Sequence, residues 1–118
     1  MLQFTDTLKK NHEFRRLYSK GSSTAAPCLV LYCRKTRSPR SRIGFTVSNK
    51  IGNAVVRNRV RRRLREIYRL HEAEFRPGHD IVVVARMRAS GADYHRLERE
   101  FLRCADRLGL RTVEVDSK

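Results

Sequence analysis

The feature that most restricts how this chain can fold is a run of arginines interleaved with apolar residues. The segment NKIGNAVVRNRVRRRLREIYR covers residues 49–69 and holds seven arginines, all within its last thirteen positions. An α-helix advances about 100° per residue, and the apolar positions counted from Val56 then share one arc of roughly 160°. They are Val60, Leu64, Ile67, Tyr68, Leu70, His71 and Phe75. This pattern predicts an amphipathic helix whose apolar face covers another layer of the protein.

The residues that flank this helix indicate where it begins and ends. Asn53 follows Gly52 and is a suitable N-cap, so the helix can run from Ala54 to about Phe75. The sequence RPG at residues 76–78 then ends it. The helix therefore lies between the strands that are predicted on either side of it.

The polar arc of this helix is occupied by like charges. It comprises Asn58, Arg61, Arg62, Arg65 and Arg69. Like charges at i,i+4, as in Arg61 with Arg65, destabilise an isolated helix by a few tenths of a kcal/mol per pair. Arg57 and Arg59 lie in the first turn, where the helix dipole disfavours cations. A phosphate chain across the helix start would reverse both effects, because amide and guanidinium groups would then face an anion.

A solvated face and a membrane-surface helix compete with a phosphate site as the reason for this charge. A solvated face is the usual reason for a run of charges, but solubility favours mixed signs, and Glu66 is the single acid among the seven arginines. A membrane-surface helix or a calmodulin target is also basic and amphipathic. Either of these roles fits poorly, because a helix that lies between two strands must cover a sheet.

Two strands with distinct faces precede the long helix. CLVLYCR at residues 28–34 and RIGFTVS at 42–48 are typical of strands, and the basic stretch RKTRSPRSR at 34–42 joins them as an exposed loop. Alternation gives an apolar face of Leu29, Leu31, Cys33, Ile43, Phe45 and Val47. The other face holds Val30, Tyr32, Arg34, Gly44, Thr46 and Ser48. Its small and polar residues predict a shallow trough that can hold a ligand.

Three further elements complete the predicted order of elements. A short first helix has Asn11 as its N-cap and Gly21 as its stop, and HDIVVVAR at residues 79–86 is a strand too apolar for a sheet edge. A last helix, residues 93–108, has an inner stripe of Leu97, Phe101, Leu102 and Ala105. The order α-β-β-α-β-α predicts that residues 1–118 form one α+β domain, a two-layer α/β sandwich. The long helix then connects two strands of one sheet, and such a crossover is normally right-handed.

The positive charge of the chain is local. Its formal net charge is +15, of which +12 lies between Arg34 and Arg69. A concentrated positive field predicts a polyanionic partner, and the excess of arginine favours nucleic acid, because guanidinium groups bind phosphate bidentately and stack on bases. No stretch approaches the roughly eighteen apolar residues of a membrane span, and the N-terminus lacks a secretion signal. We therefore expect a cytoplasmic protein with no membrane partner.

Residues suited to catalysis or metal binding are few. Cys28, Cys33 and Cys104 form no CxxC pair, and the four histidines show no ligand spacing, so neither a zinc site nor a disulfide framework is predicted. Metal-dependent nucleases need clustered carboxylates, but Glu66 is the only acid in the basic region. The sequence predicts no catalytic residue and no metal site on the protein.

One family combines these features in the same order. The run GFTVSNKIGNAVVRNRVRRRLRE, with NHEFRRLYSKG before it and DIVVVAR after it, resembles the bacterial ribonuclease P protein subunit across nearly the whole chain. The Arg57-Asn58-Arg59 motif preceded by KIGNAV is the most specific part. The resemblance implies a protein that assists a catalytic RNA in removing the 5′ leader of precursor tRNA, with magnesium ions bound mainly by the RNA. It implies no organic cofactor and no obligate protein partner, and a ribosomal-protein-like domain whose βαβ crossover is left-handed.

The resemblance also assigns residues to two surfaces. Those expected to bind the RNA subunit are Arg57, Asn58, Arg59, Arg61, Arg62, Arg65 and Arg69. Those expected to line a cleft for the single-stranded leader are Phe14, Tyr18, Val30, Tyr32, Thr46 and Lys50. The cleft coincides with the trough predicted from alternation. Many relatives have consecutive lysines where this chain has Asn49 and Lys50, which removes one charge at the cleft edge.

Two further functions remain compatible with the residues. A general or ribosomal-type RNA-binding protein of the same fold would bind many structured RNAs alike, with no preference for a leader. A protein-only nuclease would cleave precursor tRNA without an RNA subunit. For Phe14 and Tyr18, packing in the core is the alternative to leader binding, since aromatic pairs at i,i+4 usually belong to a core.

Overall fold

A five-stranded sheet and three α-helices account for most of this computed structural model, which describes residue 2 and residues 5–112. The strands are β1 (Thr5–Thr7), β2 (Ser22–Ala25), β3 (Leu29–Lys35), β4 (Ser41–Thr46) and β5 (His79–Ala85). The helices are α1 (Asn11–Lys20), α2 (Ala54–His71) and α3 (Tyr94–Arg107). Short 3-10 helices lie at Glu72–Glu74 and Met87–Gly91.

The sheet has the strand order β1-β4-β5-β3-β2, so β5 is its central strand. β1, β4 and β5 are mutually parallel, whereas β3 is antiparallel to both of its neighbours. The apolar sequence of β5 suits the centre, because a strand there is covered on both faces. The predicted connection of two strands of one sheet through the long helix is confirmed, since α2 joins β4 to β5. The hand of this crossover stays a prediction.

Helices α2 and α3 cover one face of the sheet and enclose the main core. Alternate residues of β3 and β4 point into this core as predicted, and Leu29, Leu31 and Ile43 are almost fully buried. The buried residues of the two helices are Val60, Leu64, Ile67, Tyr68, Leu97, Phe101, Cys104 and Ala105. Burial of a large apolar side chain contributes about 1.5–3 kcal/mol, so this face supplies most of the hydrophobic stabilisation.

Helix α1 lies across the middle of the other face. Leu17 is buried there with Leu8 and Val82 in a second, smaller core. The ring of Phe14 lies over Gly44, where a Cβ atom would come within 2.6 Å of it. The glycine therefore lets α1 approach the sheet closely, and the helix leaves one recess on each of its sides.

Several details differ from the predictions. The observed order β-α-β-β-β-α-β-α contains the predicted one and adds β1 and β2, whose sequences TDT and SSTA are too short and polar to be predicted as strands. The choice of Asn11 as N-cap was wrong by one residue, because α1 begins at Asn11 and Lys10 is the cap. Leu70 was predicted to be buried but is 53% exposed. It lies at one edge of the predicted apolar arc, and the part of α2 that contacts the core is narrower than that arc.

Candidate nucleic-acid interface

The start of α2 concentrates positive charge. Asn53 caps the helix, as predicted, by accepting a hydrogen bond from the Val56 amide at 3.0 Å. The Arg57 guanidinium donates to the Gly52 carbonyl at 3.1 Å and so braces the turn before the helix. The first turn contains no acid, so the positive end of the helix dipole and the nearby arginines act in the same place. An anion bound there would be stabilised by all of them.

The arginines of the polar arc of α2 form what we call the arginine stripe, and it is largely free of acidic partners within the part of the chain that the structure describes. The stripe comprises Arg61, Arg62, Arg65 and Arg69. Arg69 is the exception, because it donates to Glu66 at 2.5–2.9 Å, and this hydrogen bond holds the pKa of Glu66 below its usual value. Arg61 donates to the Asn58 side chain at 3.3 Å, and Arg62 is exposed. Most of the charge of the stripe is therefore available to a ligand.

Two other arginines of α2, Arg59 and Arg63, are only partly exposed. Arg63 donates to the Ala92 carbonyl at 3.1 Å, so it fastens α2 to the turn before α3. Arg59 is half-buried, and its Nε atom is buried without a hydrogen-bond partner among the described residues. A buried donor without a partner costs about 1–3 kcal/mol, which an oxygen atom of a ligand would offset.

A groove of about 590 Å³ lies between α1 and the beginning of α2, at the end of β4. It is lined by Asn11, Phe14, Arg15, Tyr18, Phe45, Thr46, Val47 and Arg61. Three predicted cleft residues, Phe14, Tyr18 and Thr46, therefore meet Arg61, which was assigned to the RNA-subunit surface. The two predicted surfaces are continuous at this arginine.

Aromatic side chains are held in fixed positions at the groove. Tyr18 is 41% exposed, and its ring meets that of Tyr32 edge to face, with 4.9 Å between centroids. The hydroxyl groups of Tyr18 and Thr46 are hydrogen-bonded at 3.2 Å. The Arg65 guanidinium lies over the Phe45 ring, 6.0 Å from its centroid. This arrangement offers both a ring on which a base can stack and cations for its phosphates.

The remaining predicted cleft residues lie outside the lining of the groove, although the ring of one of them, Tyr32, contacts Tyr18. Val30 is half-buried in β3, opposite Val84 of β5. Lys50 is exposed in the loop between β4 and α2, where its amide donates to the Ser48 hydroxyl at 3.3 Å. Phe14 lines the groove but is half-buried against the smaller core, so it also has the packing role that was its alternative.

Sequence reasoning missed several lining residues. Asn11, Arg15 and Tyr18 lie at i, i+4 and i+7 and so share one side of α1, a spacing from which Arg15 could have been found. Phe45 and Val47 were assigned to the apolar face. They also reach the groove, which lies at the end of β4: Phe45 is the last residue but one of the strand, and Val47 follows its end.

Comparisons with known proteins identify the family of the chain. A sequence profile described as Ribonuclease P matches residues 2–109. The chain belongs to the ribonuclease P protein family. The ribonuclease P protein component of Natranaerobius thermophilus is 46% identical over 97 residues, which cover 82% of this chain and 84% of that protein. That of Alkaliphilus metalliredigens is 44% identical over 101 residues, which cover 86% and 91%.

Solved ribonuclease P proteins share the fold. The structure of the protein from Staphylococcus aureus is 31% identical, with a TM-score of 0.83, and the match covers 89% of this chain and 96% of that one. The protein from Thermotoga maritima is 28% identical, with a TM-score of 0.77 and coverage of 92% and 98%. The α+β class predicted from the sequence is confirmed, and so is its likeness to this family.

Among the described residues, the side chains at this interface do not fit a magnesium ion. Magnesium prefers carboxylate oxygens, but Glu66 and Glu13 are each paired with an arginine. Within the described ranges, no group of three or more histidine, cysteine or acidic residues could hold a metal. Among the described helices, none has the length and apolar character to cross a membrane. Burial raises the pKa of the Cys28 and Cys104 thiols, so both cysteines stay protonated and pack as small apolar residues of the core. The unpaired arginines of the interface are complementary in charge to an anion.

Proposed function

We propose that this chain is the non-catalytic protein subunit of ribonuclease P. It would bind the catalytic RNA and the 5′ leader of precursor tRNA in the cytoplasm and promote removal of the leader. The observation that carries the proposal is the continuity of the groove with the arginine stripe, joined at Arg61. A single surface of this kind can hold a structured RNA and an adjoining single strand together.

The RNA subunit is assigned to the exposed face and the start of α2. Arg57, Arg61, Arg62 and Arg65 would approach its phosphates, aided by the positive potential of the first turn. The half-buried Arg59 would gain a partner for its Nε atom when an RNA oxygen reaches it. RNA binding would then relieve the mutual repulsion that the arginines exert on one another in the free helix.

The leader is assigned to the groove. The exposed ring of Tyr18 can stack on an unpaired base, and Arg15 and Arg61 can follow the backbone on either side. Base stacking on an aromatic ring contributes roughly 1–3 kcal/mol per base and depends little on sequence. Weak sequence preference suits a subunit that must accept the leaders of many different precursors.

The chemistry of cleavage is assigned to the RNA. Among the described residues, the carboxylates near the interface are not free to bind a metal or to act as a general base, because Glu13 is paired with Arg42 and Glu66 with Arg69. The magnesium ions on which cleavage depends would be bound mainly by the RNA subunit. The protein would contribute binding and orientation of the substrate.

Reconstitution tests the proposal directly. Precursor tRNA is incubated at low magnesium with a bacterial ribonuclease P RNA, with the protein, or with both, and cleavage at the mature 5′ end is measured. We expect cleavage only with the combination. Cleavage by the protein alone would instead identify a protein-only nuclease. Absence of stimulation, together with equal binding of unrelated structured RNAs, would identify a general RNA-binding protein.

The groove is tested by substitution of Tyr18. We expect Tyr18→Ala to reduce the preference for leader-bearing precursor over mature tRNA by roughly 1–3 kcal/mol, because one stacking surface is lost. Met87→Ala is the matched control, since Met87 is also exposed but lies in the 3-10 helix after β5. If the preference of Tyr18→Ala for leader-bearing precursor is unchanged, the leader does not bind in the groove.

The stripe is tested by Arg61→Ala combined with Arg65→Ala. Each lost phosphate contact lowers the slope of log affinity against log salt by about 0.9 for duplex nucleic acid. We therefore expect weaker binding to the RNA subunit and a visibly shallower salt dependence. If both remain at their wild-type values, α2 does not bind phosphate through these two arginines.

A further inference from the structure

A second recess lies on the same face of the sheet as the groove, on the opposite side of α1. It has a volume of about 720 Å³ and is bounded by α1, the end of β3, the basic loop after it and the beginning of β5. Arg15 lines the groove, whereas its neighbour Arg16 lines this recess. We call it the loop recess, and nothing in the assignment of the RNA subunit or the leader uses it.

The floor of the loop recess is a row of charged residues across three strands. Arg34 of β3 is in register with Asp80 of β5, which is in register with Arg42 of β4. Arg42 donates to both carboxylate oxygens of Asp80 at 2.9 and 2.7 Å and to Glu13 of α1. The hydrogen bonds with Asp80 raise the pKa of Arg42, which stays charged. This network fixes the floor and pairs both of its acids with Arg42.

The other cations of the loop recess are left without acidic partners among the residues that the structure describes. They are Arg16, Arg34, Lys35 and Arg37. Lys35 and Arg37 are exposed, and Arg34 is half-buried at the end of β3. Cations that are gathered around a concave site repel one another, and Asp80, the one acid in the described lining, is already bound by Arg42. The site is therefore complementary to a ligand with several negative charges.

The chemistry of the lining identifies the type of anion. Besides its charged residues, the described lining of the recess holds only Thr36, so a base could stack there only on the guanidinium groups that bind phosphate. Guanidinium groups bind phosphate oxygens through paired hydrogen bonds. A nucleotide recognised through its base is thus a poor fit, whereas the repeated phosphates of a polynucleotide backbone match the cations.

We propose that the loop recess is a second RNA-backbone site, which holds phosphates on the side of α1 away from the leader groove. Arg34 and Arg37 bind the phosphates, while Arg42 keeps the floor in place through Asp80 and Glu13. Helix α1 is then flanked by RNA on both sides. The identity of the partner as RNA rests on the proposed function, but the recess is tested separately from it.

The test is a salt titration of RNA binding with charge-matched variants. Arg34→Gln/Arg37→Gln removes two cations of the recess and leaves Arg42 intact. Arg88→Gln/Arg107→Gln removes two exposed arginines outside both sites and serves as the control. Affinity is measured over a potassium chloride series for a ribonuclease P RNA and for an unrelated structured RNA. Cleavage of precursor tRNA and thermal unfolding are measured for the same proteins.

The recess variant should show a slope of log affinity against log salt that is shallower by about 1.5, with affinity reduced several-fold, while the control stays near wild type. If the recess variant and the control variant have equal slopes of log affinity against log salt, the loop recess does not bind RNA. Binding of inorganic pyrophosphate to the recess with no change in the RNA slope would also overturn it and leave a small-anion site. If the wild type fails to stimulate cleavage, the proposed function is wrong. The salt dependence of binding to the unrelated RNA, compared between the two variants, still shows whether the loop recess binds RNA.

Discussion

Gly44→Ala gives a sharp test of how α1 sits on the sheet. The new methyl group would lie 2.6 and 2.7 Å from two atoms of the Phe14 ring and 3.2 Å from the Cβ of Leu8. Carbon atoms normally pack at about 3.5–4.0 Å, so the ring or the whole helix must move by nearly 1 Å. Because Phe14 also lines the groove, this movement changes the shape of the candidate leader site.

The expected loss of stability follows from this overlap. Overpacking of a well-packed site costs about 1–3 kcal/mol. For a domain of this size each kcal/mol lowers Tm by about 4 °C, so the variant should melt about 4–12 °C below the wild type. If the proposed function holds, its preference for leader-bearing precursor tRNA should fall as well, while binding to the RNA subunit through α2 is largely kept.

A double-mutant cycle isolates the steric contact. Unfolding by heat and by urea is measured for Gly44→Ala, Phe14→Ala and the double variant. Removal of the Phe14 ring should reduce the effect of Gly44→Ala to within about 0.5 kcal/mol of zero. Gly91→Ala is the matched control, because a Cβ there meets nothing within 4 Å. An equal loss with and without the Phe14 ring would refute the argument that this ring sets the need for glycine.

Two further predictions concern the ends of α2. Asn53→Ala should destabilise the protein by about 0.5–2 kcal/mol, because the Val56 amide loses its acceptor; Asn53→Ser should restore most of the loss in urea unfolding. His71 contacts Glu98 at 2.8 Å and Glu74 at 3.1 Å. Burial acts to lower the pKa of His71, but these carboxylates outweigh it and raise the pKa above its usual value. The stability difference between wild type and His71→Gln should be full below about pH 6.5 and vanish as pH rises through the raised pKa.

Each of these two predictions has a clear contrary outcome. If Asn53→Ala and Asn53→Ser have the same free energy of unfolding, the side-chain hydrogen bond of the cap contributes little to stability. The charged groups around His71 are Glu74 and Glu98, with Arg111 bound to Glu74 and with Tyr94 near Glu98. A stability difference for His71→Gln that does not change between acid and alkaline pH would show that the imidazole acts only through packing.

The candidate site was only partly predictable from the sequence. The spacing of the arginines placed the charged stripe on α2, and strand alternation grouped Tyr32 and Thr46 on one face. Local spacing carries no information about which helix side meets which strand end. The contact of Tyr18 with Thr46, and the inclusion of Arg61 in the groove, depend on how α1 and α2 approach β4. These long-range contacts appear only when the layers are assembled.

Local patterns of residues account for the periodic elements and for the location of the charge. Helices α2 and α3 and strands β3, β4 and β5 follow from apolar patterns that repeat at helical or strand spacing, because burial of one face dictates the pattern. Tertiary structure decided the rest. β1 and β2 are strands only because neighbouring edges offer unpaired hydrogen-bonding groups, and the row of Arg34, Asp80 and Arg42 exists only through the register of three strands. The alternation of buried residues restricts the register of each strand, but which strands become neighbours depends on segments far apart in the sequence.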